Sequence, residues 1–350
     1  LVDYARNFAT NNLIIDSNGN KFQGETDAFI VDYTTNAQSI SIVFSDSTKG
    51  WIPVSDDAVT DAPVAPTIQR ALFGYGTTGS AVSLTNLVNS SGVVASDVTG
   101  VGTARRQLAA ATYGGDKAIF GYGYTTGNVS MTNLVNNSGV VAADVSGVGT
   151  ARNYLAAASF GGDKVIFGYG TTGSNVSLTN LVNNSGVVAA DVSGVGSARQ
   201  TLAAAGYGGD KAIFGFGSTG SKTGITNLVS NLGVVAADVS AVGTARFSVA
   251  ATAFGGDKAI FGYGYVDAAS SLTNLVSNTG VVASDVSGVG TARHDLAAAG
   301  YGGDKALFGY GYGNKSMTNL VNNSGVVSAD VTGVGTGRVA LAAAGYSYSA

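Results

Sequence analysis

A 47-residue repeat fills most of this 350-residue chain and restricts the folds that it can adopt. The phenylalanine of the motif "FGYG", or of its close variants, recurs at an unbroken interval of 47 residues, at Phe73, Phe120, Phe167, Phe214, Phe261 and Phe308. Self-similarity at such a period is typical of an array in which each unit buries its apolar side chains against its neighbours. The chain is therefore expected to contain six copies of one structural unit.

Each unit is expected to form four short strands. In the copy that ends at Arg199 they are Leu155–Phe160, Lys164–Tyr169, Ser177–Val182 and Val187–Val192, with turns rich in Gly, Asn and Ser between them. No segment of a unit has a long glycine-free stretch with helical periodicity, which argues against a pair of helices. Four strands in roughly 40–50 residues is the period of a propeller blade.

The ends of the repeat region indicate that the array closes on itself. The first unit begins at "PTIQRALFGYG" without the "ARxxLAAAxY" strand of the others, and an orphan copy of that strand, "GRVALAAAGYSYSA", ends the chain from Gly337. Pairing the orphan with the first unit would remove the exposed strand edges that promote aggregation. The sequence thus predicts an all-β fold: a six-bladed kelch-like β-propeller over residues 67–350, with four-stranded blades and a C-terminal strand that closes the first blade.

The N-terminal part is predicted to be a separate small β module at residues 1–54, followed by a linker at residues 55–66. The module contains Asn18-Gly19, which is typical of a hairpin turn, and two later segments that alternate as strands do. A piece of this size has little independent stability. We therefore expect it to dock on the propeller or to form a homo-oligomer, such as a trimer, with copies of itself.

One group in this module has part of the pattern of a calcium-binding loop. Asp16, Asn18 and Asn20 have the spacing of the first three calcium ligands, but Lys21 and Asp27 stand where the loop needs glycine and glutamate. A hairpin turn explains the same residues. No metal site is therefore predicted.

The composition argues against several classes of partner. Charged residues make up 11% of the chain, and its 18 Lys and Arg are outnumbered by 22 Asp and Glu without any basic cluster, so no nucleic-acid partner is expected. No apolar run approaches the roughly 20 residues of a membrane-spanning helix. We expect no membrane span and no cofactor.

Catalytic constellations are scarce, and the chain is not expected to be an enzyme. His294 is the only histidine, so a Ser-His-Asp arrangement would depend on it alone. The same position holds a different residue in each of the six units, which indicates a surface position rather than a catalytic one. A weaker alternative is a glycan-cleaving enzyme that uses His294 or Asp295.

An aspartate precedes the repeat arginine by eight residues in all six units, from Asp97 and Arg105 to Asp330 and Arg338. A ring of six arginines would make an anion site. Recurrence in every unit instead favours a structural ladder of bonds from blade to blade.

Differences among the copies concentrate in the two residues after the arginine and in the loop after "FGYG". In antiparallel blades both places lie at one end, whereas the constant "GGD" and "NNSG" turns lie at the other. The variable positions are rich in Tyr, Thr, Asn and Gln, which suit recognition surfaces, although drift in solvent loops would also produce variation. The candidate ligand-binding residues are Arg106, Gln107, Tyr124, Asn153, Tyr154, Gln200, Thr201, Tyr265, His294, Asp295 and Tyr312.

The pattern "ARxxLAAAxxGGDKxIFGYG…TNLVxxxGVVxxDVxGVGTAR" resembles kelch-type propeller repeats, in which an arginine opens the unit and a glycine-rich motif ends the second strand. Here "GYG" replaces the usual Gly-Gly, and the late tryptophan of kelch units is absent, since Trp51 is the only tryptophan. The near-identical copies are similar to repeats of virion proteins of tailed bacteriophages, notably marine ones. The segment "SNGNKFQGETDAFIVDYTTNAQSISIVFSDSTKGWIPV" is similar to a small β module of phage tail-fibre chains.

The resemblance implies a protein of the virion, on the surface of an extracellular particle. Its propeller would bind a host cell-surface glycan or protein through the variable end of the blades, as kelch propellers commonly do. Its N-terminal part would attach it to other virion proteins. The alternative is a structural protein that decorates or cements the virion and binds only other virion proteins.

Overall fold

The computed structural model is all-β, and it describes residues 1–3, 5, 7–16, 19–23, 30–55 and 69–347. The chain separates into two compact domains, an N-terminal domain (Leu1–Ala65) and a C-terminal domain (Pro66–Ala350). Asn18 and residues 56–66 of the predicted linker lie outside the described residues, and Ser55 is the last residue of a strand.

The N-terminal domain has two antiparallel strand pairs in its described part. Its strands are β1 (Leu13–Asp16), β2 (Ile30–Tyr33), β3 (Ser41–Phe44) and β4 (Trp51–Ser55), paired as β1 with β2 and β3 with β4. The pairing of β1 with β2 starts at Asp16 and Ile30. Ile40 is buried beside β3, and the rings of Phe44 and Trp51 meet edge to face across the second pair.

The C-terminal domain consists of three-stranded antiparallel sheets. Its strands, in chain order, are β5 (Arg70–Gly74), β6 (Thr85–Val88), β7 (Ala109–Tyr113), β8 (Lys117–Gly121), β9 (Thr132–Val135), β10 (Ala156–Phe160), β11 (Lys164–Gly168), β12 (Thr179–Val182), β13 (Ala203–Tyr207), β14 (Lys211–Gly215), β15 (Thr226–Val229), β16 (Ala250–Phe254), β17 (Lys258–Gly262), β18 (Thr273–Val276), β19 (Ala297–Tyr301), β20 (Lys305–Gly311), β21 (Lys315–Val321) and β22 (Ala342–Tyr346). We number the sheets I (β22-β5-β6), II (β7-β8-β9), III (β10-β11-β12), IV (β13-β14-β15), V (β16-β17-β18) and VI (β19-β20-β21). This is a β-propeller-like repeat fold.

Sheet I joins the two ends of the repeat region. The last strand, β22, pairs antiparallel with β5, in a register that sets Ala342 opposite Gly74 and Tyr346 opposite Arg70. The same register relates the first two strands of the other sheets, as Ala156 is opposite Gly168 in sheet III. The orphan strand therefore occupies the place that the first unit lacks.

The predicted fourth strand of each unit is absent as a regular ladder, and this part of the prediction is wrong. In sheet III, Val182 pairs with Val188 and Thr179 pairs with Val192 as isolated bridges. The two bridges are three residues apart along β12, from Thr179 to Val182, but four residues apart along the facing segment, from Val188 to Val192. The extra residue in the facing segment interrupts the ladder as a bulge does. The Asn180 side chain occupies the gap, donating from Nδ2 to the Ala189 carbonyl oxygen at 3.0 Å and to Asp191 Oδ1 at 2.9 Å.

The hydrophobic core lies between neighbouring sheets rather than within one. One cluster joins Ile166 and Tyr169 of the third unit to Leu202 and Phe214 of the next. Equivalent clusters lie between each pair of successive sheets, including sheets VI and I. Each unit therefore depends on both neighbours for burial, as the period of the repeat predicts.

Candidate functional site

Both variable segments of each unit lie at the same end of its sheet. In sheet II the backbone of Arg106 pairs with that of Tyr124, the two N–H groups donating to the facing carbonyls at 3.1 and 2.8 Å. These residues lie beyond Ala109 and Gly121, whereas the "GGD" turn follows Tyr113 at the other end of the ladder. We call the end with the variable segments the variable face and the end with the "GGD" and "NNSG" turns the constant face.

The second residue after each repeat arginine takes part in a closed cycle of backbone hydrogen bonds, here called the central ring. Each N–H donates to the carbonyl oxygen of its counterpart in the preceding sheet, at 2.8–3.2 Å. The last link runs from Gln107 N–H to the carbonyl oxygen of Ala340. The ring consists of Gln107, Tyr154, Thr201, Ser248, Asp295 and Ala340.

All six members of the central ring have a left-handed backbone, with φ between 50° and 57°. None is glycine, and for the β-branched Thr201 this conformation is a genuine outlier. Such strain persists only where the surrounding structure enforces it, and it is common at binding sites. Here the hydrogen-bonded cycle enforces it.

The central ring surrounds a cavity of about 110 Å³, which has room for several water molecules. A layer of aliphatic side chains lines it beneath the ring: Leu108, Leu155, Leu202, Val249, Leu296 and Leu341. The polar side chains therefore gather at the variable face, above an apolar layer.

Side chains on one side of the ring form a polar network. Gln107 Nε2 donates to the Tyr154 hydroxyl at 2.5 Å, and Asn153 Nδ2 donates to Gln107 Oε1 at 2.8 Å. Burial raises the pKa of Tyr154, and the negative charge of Asp295 raises it further. Tyr154 is therefore a neutral hydrogen-bonding group near neutral pH.

Aromatic side chains gather on the other side of the variable face. The His294 ring stacks on Tyr312 with centroids 4.4 Å apart, and Tyr265 meets His294 edge to face at 5.3 Å. Phe247 lies 5.3 Å from Tyr265. Asp295 Oδ2 is 2.8 Å from His294 Nδ1 and fixes the imidazole from the side of the central ring.

The structure brings the candidate residues together by class. Arg106, Asn153, Gln200 and the backbone of His294 pair with the loop after "FGYG", to which Tyr124, Tyr265 and Tyr312 belong. Gln107, Tyr154, Thr201 and Asp295 belong to the central ring. Sequence reasoning did not select Phe247 or Ser248, although they occupy the same repeat positions as selected residues. The repeat register alone would have identified them.

The six repeat arginines are buried and have a structural role. Arg152 Nε donates to the Tyr169 carbonyl at 2.9 Å, and its guanidinium lies 4.3 Å from the centre of the Tyr122 ring in the preceding sheet. It faces Asp191, at 3.9 Å, rather than Asp144 eight residues before it. The arginine therefore contacts the preceding sheet through its stacking on an aromatic ring, which is worth about 2 kcal/mol when desolvated.

The aspartates connect two segments within one sheet. Asp144 accepts hydrogen bonds from the Thr103 backbone at 3.0 Å and from its hydroxyl at 2.6 Å, and it also accepts one from Asn133. Burial raises the pKa of Asp144, but these bonds outweigh it, so the pKa lies below its usual value. The aspartates of the other units share this environment and direction of shift.

The constant turns change little among the copies for structural reasons. The Gly114 N–H donates to the Asp163 carbonyl of the next sheet at 2.7 Å, and equivalent bonds run between all successive sheets. In the "NNSG" turn, Asn183 Oδ1 accepts from two backbone N–H groups, and a Cβ on Gly186 would lie 3.1 Å from the Tyr113 ring. The central ring on the variable face is also joined by backbone atoms, so its side chains can change without loss of the connection.

No protein-family model matches the chain, and no curated protein matches it. Among the described residues there is no group of three or more His, Asp or Glu side chains placed to hold a metal ion. Nor does that part of the chain contain a helix with the length and apolar character needed to cross a membrane.

Proposed function

We propose that the repeats form a closed six-bladed β-propeller and that its variable face recognises a receptor on a host cell surface, either a glycan or a protein. The pairing of β22 with β5, the shared core between sheets VI and I, and the central ring support the closed arrangement. The proposed role is adhesion without catalysis.

The observation that carries the proposal is that backbone and side chains have separate roles on the variable face. Backbone hydrogen bonds hold the central ring and the neighbouring bridges, while the side chains at these positions differ in size and charge, from the long cation of Arg106 to the small hydroxyl of Ser248. A rigid backbone that presents interchangeable polar and aromatic side chains is the arrangement of adaptable recognition surfaces. The strained φ angles of the ring are consistent with a binding role.

The setting of this role, a phage tail fibre or another virion appendage, is proposed from the sequence resemblance. In that setting the N-terminal domain would attach the chain to other virion proteins. The C-terminal domain would then present its variable face to the host.

Selective blocking of one face tests the proposal. The chain has no cysteine, so Thr172→Cys on the variable face and Lys164→Cys on the constant face are unique labelling sites, and both native residues are exposed. Each full-length variant would be coupled to a polyethylene glycol chain and tested for adsorption to host cells and competition with infection. We expect the Thr172→Cys conjugate to lose both activities and the Lys164→Cys conjugate to keep them. Equal adsorption by both conjugates would contradict the proposal.

A structural role in the virion is the second candidate, because apolar side chains are exposed around the interrupted fourth segments. One valine of each unit is 60–65% exposed: Val93, Val140, Val187, Val234, Val281 and Val326. Recurrent exposed apolar side chains suit contacts with other proteins. Under this alternative, substituting these valines by serine would prevent incorporation into particles, and blocking Thr172→Cys would not.

A further inference from the structure

The variable face departs from the symmetry of its scaffold at one place. The first residue after the repeat arginine and the residue that pairs with it are Asn153 and Thr171 in sheet III, and Gln200 and Ser218 in sheet IV. In sheets V and VI the four corresponding positions hold Phe247, Tyr265, His294 and Tyr312, which contact one another as a continuous row. We call these four residues the aromatic row. Scattered substitutions would not be expected to fill four adjacent positions in two neighbouring sheets with rings.

Sheet VI is also altered at this place. Its "YGNKS" loop is two residues shorter than the others, and Gly311 pairs with Lys315, so that β20 and β21 extend to seven residues each. Tyr312 therefore lies at the tip of a tight hairpin and is 61% exposed. The ring is nevertheless held in place, because one side of it stacks on His294, which Asp295 and Tyr265 fix in turn. An exposed ring with a fixed orientation binds a ligand at a reduced entropic cost.

The chemistry around the row combines a flat apolar face with polar groups at its edges. The Tyr265 and Tyr312 hydroxyls have no hydrogen-bond partner among the residues that the structure describes, and the Asp295 carboxylate is partly exposed at the edge of the central cavity. A pyranose ring offers a matching pair of surfaces, since its C–H groups pack on an aromatic face while its hydroxyls bond to the surrounding polar groups. The carboxylate at the edge favours a neutral sugar over a uronic acid, whose charge it would repel.

We propose that the aromatic row is a single carbohydrate-binding site per chain, in which a neutral pyranose stacks on Tyr312. This inference rests on the proposed receptor recognition and narrows the receptor to a glycan. The site lies to one side of the central cavity, so the chain binds one sugar chain rather than six equivalent ones. Asp295 and the Tyr265 hydroxyl hold the edge of the sugar.

Saturation-transfer NMR with the full chain and defined sugars tests the site. The probes are methyl β-D-glucopyranoside, methyl α-D-mannopyranoside and N-acetylglucosamine, with methyl glucuronoside as the acidic counterpart. We expect transfer to the C–H protons of at least one neutral sugar, and weaker transfer to the acidic one. Tyr312→Ala should lower the affinity about tenfold, whereas Tyr312→Phe, which keeps the ring, should retain most of it. Lys258→Ala, an exposed position at the constant end of sheet V, is the matched control and should leave it unchanged.

Several outcomes would overturn the inference. These are transfer that is equal in the native chain and Tyr312→Ala, equal transfer to neutral and acidic sugars, and no transfer to any of the probes. Circular dichroism of each variant verifies that the fold is intact. Tyr312 is exposed and its backbone pairing does not depend on the side chain, so the variant is expected to fold.

Cell adsorption separates failure of this inference from failure of the proposed function. Adsorption that persists after periodate oxidation of host glycans, is lost after protease treatment and is unaffected by Tyr312→Ala would overturn the sugar site and leave receptor recognition standing with a protein receptor. Absence of adsorption under every condition would overturn both. Loss of adsorption on periodate treatment and in Tyr312→Ala alike would support both.

Discussion

Arg338 Nε donates a hydrogen bond to the backbone carbonyl of Tyr75, 2.8 Å away across 263 positions of the sequence. In the interior of the repeat array the equivalent bond spans only 17 positions, as from Arg199 to Phe216. The two arginines are equally buried and lie over the rings of Tyr310 and Tyr169 at 4.5 and 4.3 Å. The junction between the two ends of the array thus has the same local structure as an internal junction.

This equivalence predicts that Arg338→Met and Arg199→Met destabilise the chain by similar amounts. Each removes a buried cation and leaves two backbone carbonyl oxygens without their donor, at a cost of about 2–4 kcal/mol. Denaturant unfolding would measure both, and we expect values within about 1 kcal/mol of each other, the usual scatter between equivalent sites. A much smaller loss for Arg338→Met would show that the last strand frays independently and that the array is open.

The aspartate network predicts acid lability. The pKa values of Asp97, Asp144 and their counterparts lie below the ordinary value of 3.8, so folding favours their ionised forms. Their stabilising contribution is complete above that value and is lost as the pH falls through the lower folded-state values, because the unfolded chain binds more protons. We expect the melting temperature to fall steeply below about pH 4.

Asp144→Asn provides the control for acid lability. It should be destabilised at neutral pH, and the difference from the native chain should shrink in acid. A melting temperature that does not change between neutral and acidic pH would contradict the assignment.

The buried tyrosines predict loss of stability in alkali. Burial raises the pKa of Tyr263 and Tyr310 to about 12 against a partial lowering by Arg293 and Arg338. Because the folded-state pKa lies above the unfolded value of about 10, the contribution is complete below that pH and is lost progressively as the pH rises to about 12. Tyrosinate absorbance and unfolding should therefore develop together. Tyr263→Phe, which copies Phe216 at the same position of sheet IV, should remove one of these tyrosinates without unfolding the chain.

Glycine at the end of the second strand is required by packing. A Cβ on Gly121 would lie 2.6 Å from Cζ of Phe167, which is fully buried in the next sheet. Gly121→Ala should therefore cost about 1–3 kcal/mol by overpacking. Gly127→Ala is the matched control, because nothing lies within 4 Å of its Cβ position, and it should be neutral or slightly stabilising. Equal effects in thermal unfolding would argue against the packing explanation.

Much of this structure was predictable from the sequence because its information is periodic. The repeat interval, the three regular strands of each unit and the pairing of the orphan strand at Gly337 with the first unit all follow from comparing copies. The gathering of Arg106 and Tyr124 at one end of a sheet follows from antiparallel order alone. These features depend on local pattern and on counting.

Other features were decided by tertiary contacts that the sequence does not contain locally. Val188 and Val192 alternate like a strand, but the mismatch of steps against β12 and the insertion of Asn180 prevent a regular ladder. The aspartate that faces Arg152 is Asp191 rather than Asp144. The reason is that Arg152 precedes the first strand of sheet III and Asp191 follows the third, whereas Asp144 follows the third strand of sheet II.

For the candidate site, the sequence by itself determined which positions vary and that they share one end of the sheets. Only the tertiary structure decided that Gln107 and Ala340 meet in a closed ring, and that Tyr265, His294 and Tyr312 form one row. The reason is physical: a repeat specifies what each unit is, whereas contacts between units depend on how the sheets are packed against one another.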